Sequence, residues 1–162
     1  LYYQIKGVVT IRCWHYKIVN VLPRSQLLSQ YRELISIAKN LRDLGTPNHI
    51  LVNPILDYPR QDFNIFCNIV IKAMQDRGYK VSDASIHKLE DYVDFELDSE
   101  QANMKCFEGW HDMEYMEICK MNLREKYIRG QKDFSDDVWD GIAKAYEKYM
   151  IDEIYELGRK IV

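Results

Sequence analysis

Apolar residues recur at intervals of four and three from Leu27 through Tyr31, Leu34, Ala38 and Leu41, with Leu28 and Ile35 widening the stripe. A backbone that turns every 3.6 residues gathers all of them on one side, so this stretch is an amphipathic helix and not a strand. Pro23 suits a first turn, and Gly45 before Thr46-Pro47 supplies a left-handed cap and a stop, which places the helix near 24–44. The same periodicity continues down the chain. A second helix follows Pro59, with Phe63, Phe66, Cys67, Val70, Ile71 and Met74 wrapping much of its circumference and Arg77-Gly78 closing it. Ser82 or Asp83 caps a shorter third that runs to about Phe95, after which Asp98 to Gly109 reads as a polar loop. A fourth spans about Asp112 to Arg129. The fifth starts at Ser135, with Asp136 and Asp137 in its first turn and Trp139, Ile142, Ala143, Tyr146 and Tyr149 or Met150 as its apolar face. Strand material is confined to the first dozen residues and Ile50-Leu51-Val52, so the expected fold class is all-α, a compact bundle of about five helices with no sizeable sheet.

A chain of 162 residues, 47% hydrophobic and 29% charged, holds one core of ordinary size and excludes disorder as its main state. We expect residues 1–9 to be a leader and 10–162 a single helical domain, with 131–162 a C-terminal helical extension. The most apolar stretch, Phe63 to Met74, is broken by Asn64, Asn68 and Lys72 and cannot span a bilayer. The N-terminus lacks the basic and apolar regions of a secretion signal, which points to the cytoplasm. Cys13, Cys67, Cys106 and Cys119 show no metal-knuckle or redox spacing and read as reduced core thiols. The net charge of -3 hides a polarised chain. Residues 1–81 carry eleven Lys and Arg against five Asp and Glu, whereas residues 82–162 carry eleven against twenty. A basic half can track a phosphate backbone while an acidic half faces solvent, although two solvated faces of opposite sign fit the same counts.

On the first helix, Glu33 lies nearly opposite the apolar stripe with Arg32 and Ser36 at its flank, so these groups face water or a ligand. By spacing alone Glu33 is an ordinary solvated glutamate or a general base. His15, His49 and His111 could gather as acid–base groups, yet none sits at a helical ligand spacing and each is also readable as a structural histidine.

The block Leu27-Leu28-Ser29-Gln30-Tyr31-Arg32-Glu33-Leu34 resembles the first helix of the pyrimidine-dimer DNA glycosylases of the phage endonuclease V type, in which a Tyr-Arg-Glu-Leu tetrad holds the catalytic glutamate. Asp76-Arg77-Gly78-Tyr79-Lys80-Val81-Ser82-Asp83 is similar to the end of that family's second long helix. His111-Asp112 and Asn122-Leu123-Arg124-Glu125-Lys126 are similar to the start and end of its third. Arg12-Cys13-Trp14-His15-Tyr16-Lys17 with Leu22-Pro23-Arg24 resembles the opening of a bacterial branch of small relatives. The order is preserved over roughly residues 10–130.

The resemblance implies a DNA glycosylase and AP lyase that acts on damaged pyrimidines or abasic sites in double-stranded DNA. An amine attacks the sugar, and the resulting imine drives β-elimination of the phosphate. An α-amine, with a pKa of about 7.7–8.0 against about 10.4 for lysine, suits that task at neutral pH, and in the family it belongs to an N-terminal threonine. Counted back from Arg32-Glu33 without gaps, that threonine falls at Arg12. A two-residue insertion moves it to Thr10, whose α-amine removal of residues 1–9 would expose. Lys17 is an alternative amine. Glu33 would stabilise the cationic sugar or imine, Arg32 would hold a phosphate, and His15 would sit near the sugar. Ser36 departs from the family, which has a second arginine there. Arg12, Trp14, Lys17, Arg24, Lys39, His49 and Arg60 are the expected DNA contacts, with the acidic half away from the duplex. No cofactor, metal or membrane partner is implied, and a monomer is expected. Two other classes remain open: a non-catalytic DNA-binding or damage-sensing module, and an all-α protein-interaction domain.

Overall fold

The structure, a computed structural model, describes residues 11–161. Five α-helices carry the fold: α1 (Arg24–Leu44), α2 (Arg60–Asp76), α3 (Asp83–Val93), α4 (Met113–Ile128) and α5 (Asp136–Ile161). Short 3-10 turns occupy Val19–Val21, Asn53–Asp57 and Ser99–Asn103, and no strand occurs among the described residues. The all-α expectation holds. Ile50-Leu51-Val52, expected as a possible strand, is a turn that leaves Ile50 exposed and buries only Val52. Two turns in succession between Pro47 and Pro59 leave it no partner to pair with. The other candidate strand, in the first dozen residues, lies almost wholly outside the described residues.

Helix α2 is the centre of the core: ten of its residues, from Phe63 to Met74, are buried. Helix α1 packs on it and is in turn covered by α3, while α4 and α5 pack on each other. Helix boundaries follow local chemistry. Gly45 ends α1 at φ 71°, a left-handed conformation that a Cβ disfavours, and donates its N–H to the Leu41 carbonyl. Ser82 and Asp112 cap α3 and α4 by accepting from the Ser85 and Tyr115 amides. Pro23 precedes α1 as its N-cap and has no side chain able to cap. The missing acceptor comes from a distance: Asp133 takes the Ser25 N–H at 2.6 Å, and Gln131 exchanges amide hydrogen bonds with Gln26. The turn after α4 therefore fixes the start of α1.

All four cysteines are free and buried. Two buried histidines, His15 and His111, stack with ring centroids 5.3 Å apart among Tyr16, Tyr115 and Tyr149. No helix among the described residues is long and apolar enough to cross a membrane.

Candidate active site

The segment before the first turn is pinned from both sides. Gln30, fully buried on α1, accepts the Trp14 N–H and donates to the Arg12 carbonyl, each at 2.8 Å. From α4, Tyr115 donates its hydroxyl to the Cys13 carbonyl at 2.7 Å, and just before that helix the His111 ring accepts the Tyr16 N–H at 3.0 Å. Held in this way, alternate side chains take opposite sides. Cys13 and His15 enter the core with no exposed surface, and Arg12 and Trp14 face a cleft. Alternation of that kind is the side-chain habit of an extended chain.

The cleft has a volume of about 410 Å³, within the usual range for a small-molecule site. Gln26, Ser29 and Glu33 line it from α1, Asn122 and Lys126 from α4, and Arg12 and Trp14 from the segment between them. The Arg12 guanidinium lies 5.2 Å from the centre of the Trp14 ring, a cation–π arrangement at the edge of the cleft. Just outside, Arg32 donates to the Ser29 hydroxyl at 3.2 Å and stays exposed.

Glu33 is the chemically distinctive group. Burial pushes its carboxyl up from the ordinary carboxylate range to about 7, against the opposing pull of the Arg12 main chain and of the Arg32 and Arg12 guanidinium charges. This corrects the view of Glu33 as a fully solvated residue of the polar face: residues 12–14 cover that side of α1 and leave it half-buried. A carboxyl poised near neutrality can both give and take a proton at physiological pH.

The other expected site residues scatter. His15 does not reach the cleft; it is wholly buried, and desolvation lowers its pKa to about 4, which favours the uncharged ring. The structure thus places His15 away from the cleft in which an acid–base role was expected for it. Lys17 lies in a different depression with Tyr16, Lys148, Tyr149 and Arg159, its ammonium 5.7 Å from the Tyr16 ring centre. Arg24 stacks over Tyr79 at 5.3 Å beside Arg77 and Asp137. Arg60 lines a third depression with Asn64 and Glu96. His49 is held in its own loop, accepting the Leu51 N–H through the ring. Lys39 is exposed on α1, seven residues beyond Arg32 and so on the same helix face. Thr10 lies outside the described residues, as does the leader.

Sequence reasoning missed Gln26, Ser29, Gln30, Asn122 and Lys126 as site residues. Gln30 carried a readable signal, a polar side chain adjoining Tyr31 at the edge of the apolar stripe. Asn122 and Lys126 sit one helical turn apart, which marks a shared face but not what it faces. Lys126 also belongs to the acidic half, which was expected to lie away from the duplex, and α4 nevertheless forms one wall of the cleft.

Residues 11–87 match the family model described as pyrimidine dimer DNA glycosylase, a span that holds Arg12, Trp14, Gln26, Ser29 and Glu33. No curated protein and no solved structure matches the chain.

Proposed function

We propose, from the match of residues 11–87 to the family model described as pyrimidine dimer DNA glycosylase, that the Glu33 cleft is the active site of a DNA glycosylase and AP lyase acting on damaged pyrimidines or abasic sites in duplex DNA. The observation that carries this reading is Glu33: a half-buried carboxyl raised to about 7 in a cleft that also holds the Arg12 guanidinium.

The target nucleotide leaves the base stack, which costs a few kcal/mol and costs least where pairing is already damaged. Arg12 in the cleft and Arg32 at its rim give planar donors to the phosphates flanking the extruded sugar. Trp14 offers an edge of aromatic surface, although it is mostly buried. An amine attacks C1′ and Glu33 moves the proton, protonating the departing group or the ring oxygen and then taking up a proton as the imine forms. The chain before Arg12 matters here. Two residues span at most about 7 Å, so a Thr10 α-amine freed by loss of residues 1–9 has a reach set by the fixed Arg12.

The test is strand nicking on duplexes that carry a pyrimidine dimer or an abasic site, with Glu33→Gln as the control. The expected result is nicking of at least one damaged duplex, lowered by about 10²–10⁴-fold by the substitution. Salt-sensitive duplex binding without nicking, in chains with and without residues 1–9, would replace this reading with a damage-sensing module.

A further inference from the structure

In the chain as it stands Thr10 is preceded by residues 1–9, so its nitrogen is a peptide nitrogen without a nucleophilic lone pair. We propose that in this form the side-chain amine of Lys126 forms the imine, making the uncleaved chain an AP lyase for abasic sites. The inference rests on the reading of the Glu33 cleft given above.

Three observations support it. Lys126 alone among the described lysines lines the cleft that holds Glu33. Its ammonium has no ion-pair or hydrogen-bond partner among the described residues, whereas Lys72 and Lys148 are bound to Asp76 and Asp152 and Lys120 sits 4.0 Å over the Tyr146 ring. The backbone that carries it is fixed: Gln131 donates its N–H to the Lys126 carbonyl, and the neighbouring Tyr127 ring stacks on Trp139 at 5.3 Å. A held backbone with an unengaged, half-buried amine is the arrangement a covalent nucleophile needs. Helices α1 and α4 stand on two sides of the cleft with residues 12–14 between them, so a sugar seated there is reached by Glu33 from one wall and Lys126 from the other.

The steps balance without any oxidant or cofactor. The Glu33 carboxylate takes a proton from the Lys126 ammonium, a transfer that burial of the carboxyl makes less unfavourable than it is for an ordinary glutamate. The freed lone pair attacks C1′ of the ring-opened abasic sugar, a C–N bond forms, and the carbonyl oxygen leaves as water after receiving two protons. The protonated imine then accepts the electron pair of the C2′–H bond as a base removes that proton. A C2′=C3′ double bond forms, the C3′–O bond breaks, and the phosphate leaves with its electron pair. Water finally hydrolyses the imine and returns the amine.

The experiment is borohydride reduction of the chain retaining residues 1–9 on a duplex containing one abasic site, followed by mass mapping of the cross-linked peptide. The expected result is an adduct on Lys126. It is lost in Lys126→Arg, which keeps the positive charge and so keeps affinity for the same duplex. An adduct on Lys17, another lysine or the chain's α-amine, or undiminished trapping in Lys126→Arg, would overturn the assignment while leaving imine chemistry in place. No adduct and no nicking of the abasic strand would overturn both this inference and the function on which it rests. Mapping on the unaltered chain makes the outcome independent of how the variant folds.

Discussion

Two titratable sites lie on opposite sides of the same short segment and differ in one respect. Burial raises Glu33 to about 7 and lowers His15 to about 4, and His111 is pushed well below its usual value by the same cause, with the repulsion that a protonated His15 would add acting in the same direction. Desolvation disfavours the charged form in all three. The carboxyl, however, opens on a cleft with a guanidinium and a lysine, whereas the two rings sit among tyrosines with their Nε2 atoms buried and without a partner among the described residues. A shifted pKa marks a reaction centre only where a ligand can reach the proton. Arg12 and Trp14 point to the first environment and Cys13 and His15 to the second, so a one-residue change of register would exchange them.

The largest expected effect tests the open side. Glu33→Gln should lower nicking by about 10²–10⁴-fold, the usual contribution of a positioned acid–base group. It should also stabilise the fold. A carboxyl raised in the folded state adds stability that is fully present below its unfolded value near 4.5 and is lost as pH rises through about 7. At pH 8 the amide should therefore gain about 1 kcal/mol once solvent screening is allowed for. Thermal melts of both proteins at pH 8 and at pH 4.5 check this, because the gain disappears in acid. Equal stability at pH 8 would mean that Glu33 is not desolvated.

Removal of the tie between the two sides comes next. Gln30→Leu leaves the Arg12 carbonyl and the Trp14 amide without their partner and should cost about 2–3 kcal/mol in denaturant unfolding, with nicking lost in parallel. A smaller and more specific contrast is Arg12→Gln against Cys13→Ser. The first should reduce the slope of DNA affinity against salt by about one charge. The second, one residue along but turned into the core, should leave that slope unchanged and lower stability instead. Equal salt slopes for the two variants would contradict the alternation.

Much of this fold is legible in the sequence because its signals are local. The α1 stripe from Leu27 to Leu41, the Gly45 stop and the Ser82 and Asp112 caps are each complete within a few residues, and the helices begin and end within a residue or two of where those signals put them. The site is only half legible for the opposite reason. Glu33 and Arg12 are named by their resemblance to a family, but the burial that gives Glu33 its chemistry depends on Gln30 reaching back 18 residues and Tyr115 reaching across 102. Asp133 capping α1 from 108 residues away has no sequence signal at all. The side that His15 takes is not legible, because its place beside Arg12 and Trp14 carries no statement of which way it faces until the segment is pinned.

The smallest effect belongs to the closed side and is a dependence on pH. His15 is neutral in the fold down to about pH 4, whereas an unfolded chain protonates it near 6.5. Below that value the unfolded state holds more protons, so the stability that His15 contributes is complete above pH 6.5 and is lost as pH falls toward 4, at up to about 1.4 kcal/mol per unit. His111 acts in the same direction. Glu33 acts in the other, gaining stability as pH falls from 7 to 4.5. Melting curves from pH 7.5 to 5 should therefore fall for the unaltered protein by about 2–4 °C for each kcal/mol lost. They should fall more steeply in Glu33→Gln, which removes the opposing contribution, and less steeply in His15→Phe, which removes the acid-labile one and keeps an aromatic ring beside Tyr16 and Tyr149. If His15→Phe melts with the same pH dependence as the unaltered protein, His15 is not a desolvated neutral ring. Residues 12–15 would then not divide between core and cleft as the hydrogen bonds of Gln30 and Tyr115 require.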